Sequence, residues 1–257
     1  MSAREAVTLI SLVRVAGWLD GQTLGTLKAA SIRFAPAESD FQLSLIQALI
    51  ETGIVAPDPK SHSSAFRMDN SAVVAWDINL IGWVFRCADP AYFVQSLEDI
   101  VASDRWPERW TDECIDLSYE LAAAECREFF EYSAAKRGFP TPGVTAQNAL
   151  IKNLLRDFSV SQCYQLIWTA GKAAADYHAR KRISVQQAAN SMIGACQRHA
   201  DRARAEGWLI KGHARNFDLE RTQISHVLHD FFLQHGEACF TSVLPKLGGS
   251  NHHTNLS

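Results

Sequence analysis

The densest group of chemistry-bearing side chains in this 257-residue chain is His226-Val-Leu-His229-Asp230, followed by His235 and Cys239. Two imidazoles at i and i+3 share one face of a helix. Zinc takes imidazole nitrogen and thiolate sulfur in tetrahedral sites, so Cys239 could arrive from the following segment to complete a set. Structural zinc sites usually have a tight ligand pair at both ends. Here His226 and His229 make one pair, while His235 and Cys239 spread over a helix end. Polar side chains on a solvent or interface face are the first expectation, and a metal site is the second.

A second group is carboxylic. Glu113, Asp116 and Glu120, with Glu125 and Glu128, line parts of a helix that Thr111 can cap. General acid–base catalysis needs a pair in a cleft with separated pKa values. Acidic residues early in a helix also complement its N-terminal dipole, which is the expectation here. His229-Asp230 resembles the dipeptide after which a class of metal-dependent phosphohydrolases is named. The resemblance ends there, because those enzymes also use an upstream His and a distant downstream Asp. Beyond Asp230 the only side-chain carboxylate is Glu237, too few oxygen ligands for a hard cation. A hydrolase built on His226 and His229 is therefore the last of the alternatives. Ala170-Gly171-Lys172 is not a phosphate loop: position 166 is Leu and Ala173 follows the lysine. A serine-nucleophile elbow, a Cys-x-x-Cys pair and a glycine-rich dinucleotide fingerprint are also absent, and no cofactor is expected.

The third group is basic: His178, Arg180, Lys181 and Arg182 at one helix end, then Arg198, Arg202, Arg204, Lys211, Arg215 and Arg221. Cations at a helix C-terminus answer the dipole and its orphan carbonyls. The others could contact phosphate backbones without reading sequence, or dock an acidic protein face. The charge is segregated along the chain. Glu38 to Glu131 holds 18 acidic and 6 basic residues, and Lys136 to Arg221 holds 14 basic and 6 acidic, within a net charge of −3. Such a split fits a nucleic-acid face, two mutually attractive halves, or plain solvated surfaces.

The elements that position these groups read as helices. Val7, Ile10, Val13 and Trp18 give the first helix, at about 4–18, one apolar face, and a short turn near 24–30 follows. Ser39-Asp-Phe-Gln42 is a capping box opening a helix that Gly53 ends. Ile54-Val55-Ala56 and Ser71-Ala-Val-Val-Ala-Trp-Asp-Ile-Asn-Leu80 predict two short strands joined by a turn-rich loop. Helix, turn, helix and ribbon is a winged-helix order. Yet no Lys or Arg lies between Phe41 and Ile50, where a groove-reading helix brings cations and amides.

Asp89-Pro90 starts a further helix, and Thr111 starts one reaching about Lys136. Pro140-Thr-Pro-Gly143 is the clearest break. Helices follow at about 146–158, 160–182, 185–206 and 219–235. The stretch from Ser184 to Trp208 begins like a DNA-reading helix-turn-helix, with an Ala-Ala pair and Gly194. Its apolar stripe (Val185, Ala188, Ala189, Met192, Ile193, Cys196, Ala200, Ala203) does not slip phase at Gly194, so one continuous helix is expected, with a neighbouring helix passing close to that glycine.

Hydrophobic residues are 47% of the chain, enough to bury a core without staples. The six cysteines form no close pairs, no stretch is apolar enough to span a membrane, and no leader pattern opens the chain, so the expected compartment is the cytoplasm. The expected fold is mainly α: an acidic N-terminal module over 1–138 with a short β-ribbon near 54–80, possible as a winged helix; a basic helical bundle over 144–245; and a disordered tail over 246–257. The expected function is a non-enzymatic interaction or regulatory protein, acting with a protein partner or with itself as part of a larger assembly. Nucleic-acid binding through Arg180, Lys181, Arg182, Arg198, Arg202, Arg204, Lys211 and Arg215 is the alternative.

Overall fold

The computed structural model describes residues 1–37, 39–69, 72–103 and 105–245. The tail expected to be disordered lies outside them. The protein is mainly α, 59% helix against 7% strand. It divides into two compact units. The first combines Met1–Cys114 with Arg215–Glu237, and the second combines Ile115–Ala214 with the chain from Ala238 onward. The 138–143 break expected between domains lies in the second unit.

The first unit opens with α1 (Ala3–Ala16). Its start is a reciprocal cap: the Glu5 N–H donates to Ser2 Oγ at 3.2 Å, and the Ser2 N–H donates to Glu5 Oε2 at 2.7 Å. Ala6, Val7, Leu9, Ile10 and Leu12 are fully buried. They pack against α2 (Ser39–Glu51), α3 (Pro90–Ala102), α8 (Gln223–His226) and the π-helix that continues α8 over Val227–Phe232. Asp89 caps α3 through the Tyr92 N–H, with Pro90 at the first position, where its missing N–H costs nothing.

Among the described residues five strands replace the two expected: β1 (Thr23–Leu24), β2 (Val55–Pro57), β3 (Phe66–Asp69), β4 (Ala72–Trp76) and β5 (Trp83–Phe85). The two predicted strands, here β2 and β4, are not partners. An antiparallel sheet runs in the order β1-β5-β2, while β3 and β4 form their own hairpin inserted between β2 and β5. The expectation failed because β5 is three residues long, too short for its alternation to register, yet it buries Trp83 and Phe85 and so wins the pairing. Trp106, Trp110 and Phe232 form an aromatic cluster with centroids 5.5–6.3 Å apart.

The helix α4 (Arg109–Ala135) supplies the second unit from Ile115 onward. There it is joined by α5 (Val144–Leu154), α6 (Val160–Lys181), α7 (Val185–Glu206) and α9 (Ala238–Thr241). Both Ser159 and Ser184 make the capping boxes their sequences imply, with Gln162 and Gln187 returning the bond. Tyr164 of α6 stacks on Phe129 of α4 at 3.9 Å and donates to the Glu125 carbonyl. The helix α7 is continuous through Gly194 and ends at Gly207, whose φ of 66° suits a residue without Cβ. The neighbour expected at Gly194 is not another helix. A Cβ there would meet only the Arg198 guanidinium, at 3.2 Å. Among the described residues, no helix is long and apolar enough to cross a membrane.

Candidate functional site

The His226–Asp230 group sits where α8 widens into the π-helix, a distortion found frequently at functional sites. The widening sends its two histidines to different environments. His229 is 5% exposed, and among the described residues its Nδ1 has no hydrogen-bond partner. Burial above all, with the Arg221 charge beside it, pushes its pKa down to about 3. It is therefore a neutral imidazole at every physiological pH. His226 is part-exposed, and its Nδ1 lies 2.9 Å from Asp230 Oδ2.

Arg221 organises the rest. Its guanidinium donates to both oxygens of Asp230, at 2.7 and 3.0 Å, and to the Ser225 carbonyl and hydroxyl, each at 3.1 Å. Glu237 lies 3.3 Å from Arg221 and 3.7 Å from Arg215. Burial pushes Asp230 upward, but the hydrogen bonds from His226 and Arg221 outweigh it and hold the carboxyl below its ordinary range. This two-point clamp fixes charge and orientation. It leaves the carboxylate occupied, a poor state for a general base.

The zinc set does not assemble. Among the described residues no three His, Cys, Asp or Glu side chains gather as a metal would need. His229 turns inward, His226 is spent on Asp230, and His235 lies on the backbone loop whose N–H donates to the His229 carbonyl at 2.7 Å. Cys239 belongs to the second unit. The carboxylates of α4 scatter likewise. Glu113 accepts the Ala3 N–H at 2.6 Å, Asp116 is exposed, and Glu125 is buried.

The structure also distributes the basic residues. Of the eight named for nucleic-acid binding, Arg215 falls in the first unit, and the other seven fall in the second. Arg204 is the most committed: it donates to Asp157 at 2.9 Å, Asp201 at 3.1 Å and the Asn153 carbonyl at 2.9 Å, with its guanidinium 5.1 Å from the Phe158 ring centroid. Arg202 pairs with Glu206 at 2.8 Å and covers Trp208. Arg180 donates back to the Asp176 carbonyl, and Arg182 closes α6 in the left-handed conformation. Lys181, Arg198 and Lys211 are exposed. Much of the apparent phosphate-binding set thus serves the chain's own carboxylates and carbonyls.

Apolar exposure is the signal that composition hides. The outward positions of α2 are Asp40, Leu43, Gln47 and Glu51, with Leu43 42% exposed. On the hairpin, Met68 and Val73 are 55% and 53% exposed, and Arg67 is the only Lys or Arg from Ser61 to Gly82. No protein-family model, curated protein or solved structure matches this chain.

Proposed function

We propose that this chain is a non-enzymatic interaction protein, working as a subunit of a larger assembly or of an oligomer of itself. The first unit is read as a winged helix: α1, β1, a 3-10 turn at Leu27–Ala29, α2, β2, the hairpin and β5, with the last strand central in the sheet. In that reading α2 holds the place of the recognition helix. The observation that carries the proposal is its outward face, which offers Leu43 and Gln47 between Asp40 and Glu51 and no cation. Such a face repels phosphate and suits a protein surface. The exposed Met68 and Val73 on the hairpin extend the same chemistry.

The test is affinity capture of the tagged full chain from its native host, with and without nuclease, alongside light scattering over a concentration series. The expected result is a defined protein partner or self-association, unchanged by nuclease and weakened by Leu43→Asp or Met68→Asp. Loss of the captured material under nuclease would hand the function to the nucleic-acid reading. A monomer that retains nothing in either arm would end the proposal.

A further inference from the structure

The second unit holds a groove of about 750 Å³ between α4 and α5, within the size range of small-molecule sites. Two helix faces build it. On α4 its lining residues run from Tyr119 to Arg127, eight residue steps or about 12 Å along the axis. On α5 they fall at Asn148 and Lys152, with Leu155, Arg156 and Asp157 at its end. Arg127 Nη1 donates to Asn148 Oδ1 at 3.0 Å, which ties the two helices together and aims the guanidinium at one end of the groove. Tyr119 fixes the other end. Its hydroxyl donates to the Pro245 carbonyl at 2.7 Å, leaving its ring as a wall beside Ala123 and Leu155.

The charges around this apolar strip do not cancel. Arg127, Lys152 and Arg156 face Glu120 and Asp157, and Asp157 is already engaged by Arg204 at 2.9 Å. Lys152, in the last turn of α5, and Arg156, two residues past its end, are exposed, and among the described residues neither side chain has an ion-pair or hydrogen-bonding partner. Lys152 and Arg156 are therefore the two positive charges at the rim that no described carboxylate pairs. A phosphate monoester carries about −1.5 to −2 at neutral pH, which matches those charges. A monocarboxylate would leave one cation uncompensated, and inorganic phosphate would leave the apolar wall uncovered.

We infer that the α4–α5 groove binds a small phosphate monoester with an aromatic or apolar body, a ligand of nucleoside-monophosphate class. The site is separate from the surfaces argued above for protein contact, so it gives an interaction protein a place to sense a metabolite. Titration calorimetry on the full chain tests it, with AMP, flavin mononucleotide and phenyl phosphate as probes and with inorganic phosphate and adenosine as controls.

At least one probe is expected to bind saturably, and both controls roughly tenfold or more weaker, since each supplies half of the recognition. The double variant Lys152→Glu/Arg156→Glu, both positions exposed and without a role in the core, should lose roughly tenfold or more. Lys181→Glu/Arg198→Glu, an equal double reversal of exposed cations elsewhere in the same unit, should bind as the native chain does. Failure of all three probes overturns the inference. So does equal binding of inorganic phosphate, or an equal loss in Lys181→Glu/Arg198→Glu, either of which would mean unspecific attraction. Binding here is read without any protein partner, so its failure and that of the interaction reading are distinguishable.

Discussion

His229 is a neutral base buried without a partner for Nδ1 among the described residues, and that state sets how the first unit answers acid. Its folded pKa of about 3 lies below the ordinary 6.5. Between those values the unfolded chain takes up a proton that the native chain refuses. Stability is therefore fully present above about pH 6.5 and lost as pH falls toward 3, at about 1.4 kcal/mol per unit. Asp230, held low by its hydrogen bonds, adds a loss of the same sign below its ordinary 3.8. Urea unfolding at pH 7 and pH 4.5 should differ by about 2–3 kcal/mol in the native chain and by much less in His229→Leu. Equal losses in both would place the acid sensitivity elsewhere. Thiol chemistry follows the same burial logic. Burial pushes Cys114 and Cys196 up to about 12 and raises Cys126 as well, while Cys163 is fully buried. In the native protein only Cys87 and Cys239 should react with a thiol reagent, and all six should react in denaturant. A third thiol reacting rapidly without denaturant would contradict this burial.

At the scale of elements, α7 separates two kinds of residue that a sequence presents alike. Gly194 and the arginines around it suggested a reading head, but the helix is continuous and the glycine faces only the exposed, movable Arg198 side chain. Gly194→Ala should therefore stabilise the protein by up to about 1 kcal/mol, the ordinary helix-propensity gain, measured by thermal or urea unfolding. Destabilisation would mean that Arg198 is less free to move than its exposure implies. Arg198→Ala should be nearly neutral. Arg204→Ala should cost roughly 1–3 kcal/mol, because it strips the bonds to Asp157, Asp201 and the Asn153 carbonyl from a largely buried side chain. The helices were readable because their signals are local: the caps at Ser159 and Ser184 and the unbroken apolar stripe of α7 all lie within a few residues of the bonds they make. The β1-β5-β2 sheet was not, since its register joins Leu24 to Trp83 and Pro57 to Trp83 across long stretches of chain. The α4–α5 groove was hidden for the same reason. Arg127 and Asn148 acquire a joint meaning only when α5 returns beside α4.

At the scale of the whole molecule, the chain leaves its first unit at Cys114 and comes back at Arg215. The sequence placed a boundary at Pro140-Thr-Pro-Gly143, where composition changes most, but composition carries no trace of a returning segment. That segment is stitched in by backbone bonds: the Gln223 N–H donates to the Arg33 carbonyl, and the Ile224 N–H to the Phe34 carbonyl. Its side chains complete the core of the unit, with Ile224, Val227 and Leu228 fully buried and Phe232 closing the Trp106–Trp110 cluster. At roughly 1.5–3 kcal/mol for each buried side chain, these four contribute roughly 6–12 kcal/mol. That is comparable with the total stability of about 5–15 kcal/mol typical of a folded protein. A fragment ending at Gly138 should therefore lose cooperative unfolding and bind a hydrophobic dye, although it contains the strands β1 to β5 and the helices α1 to α4. Adding a peptide spanning Arg215–Glu237 in trans should restore protection and displace the dye. A fragment that unfolds cooperatively without the peptide would show that residues 1–138 hold their own core, and the returning segment would then be a mere attachment.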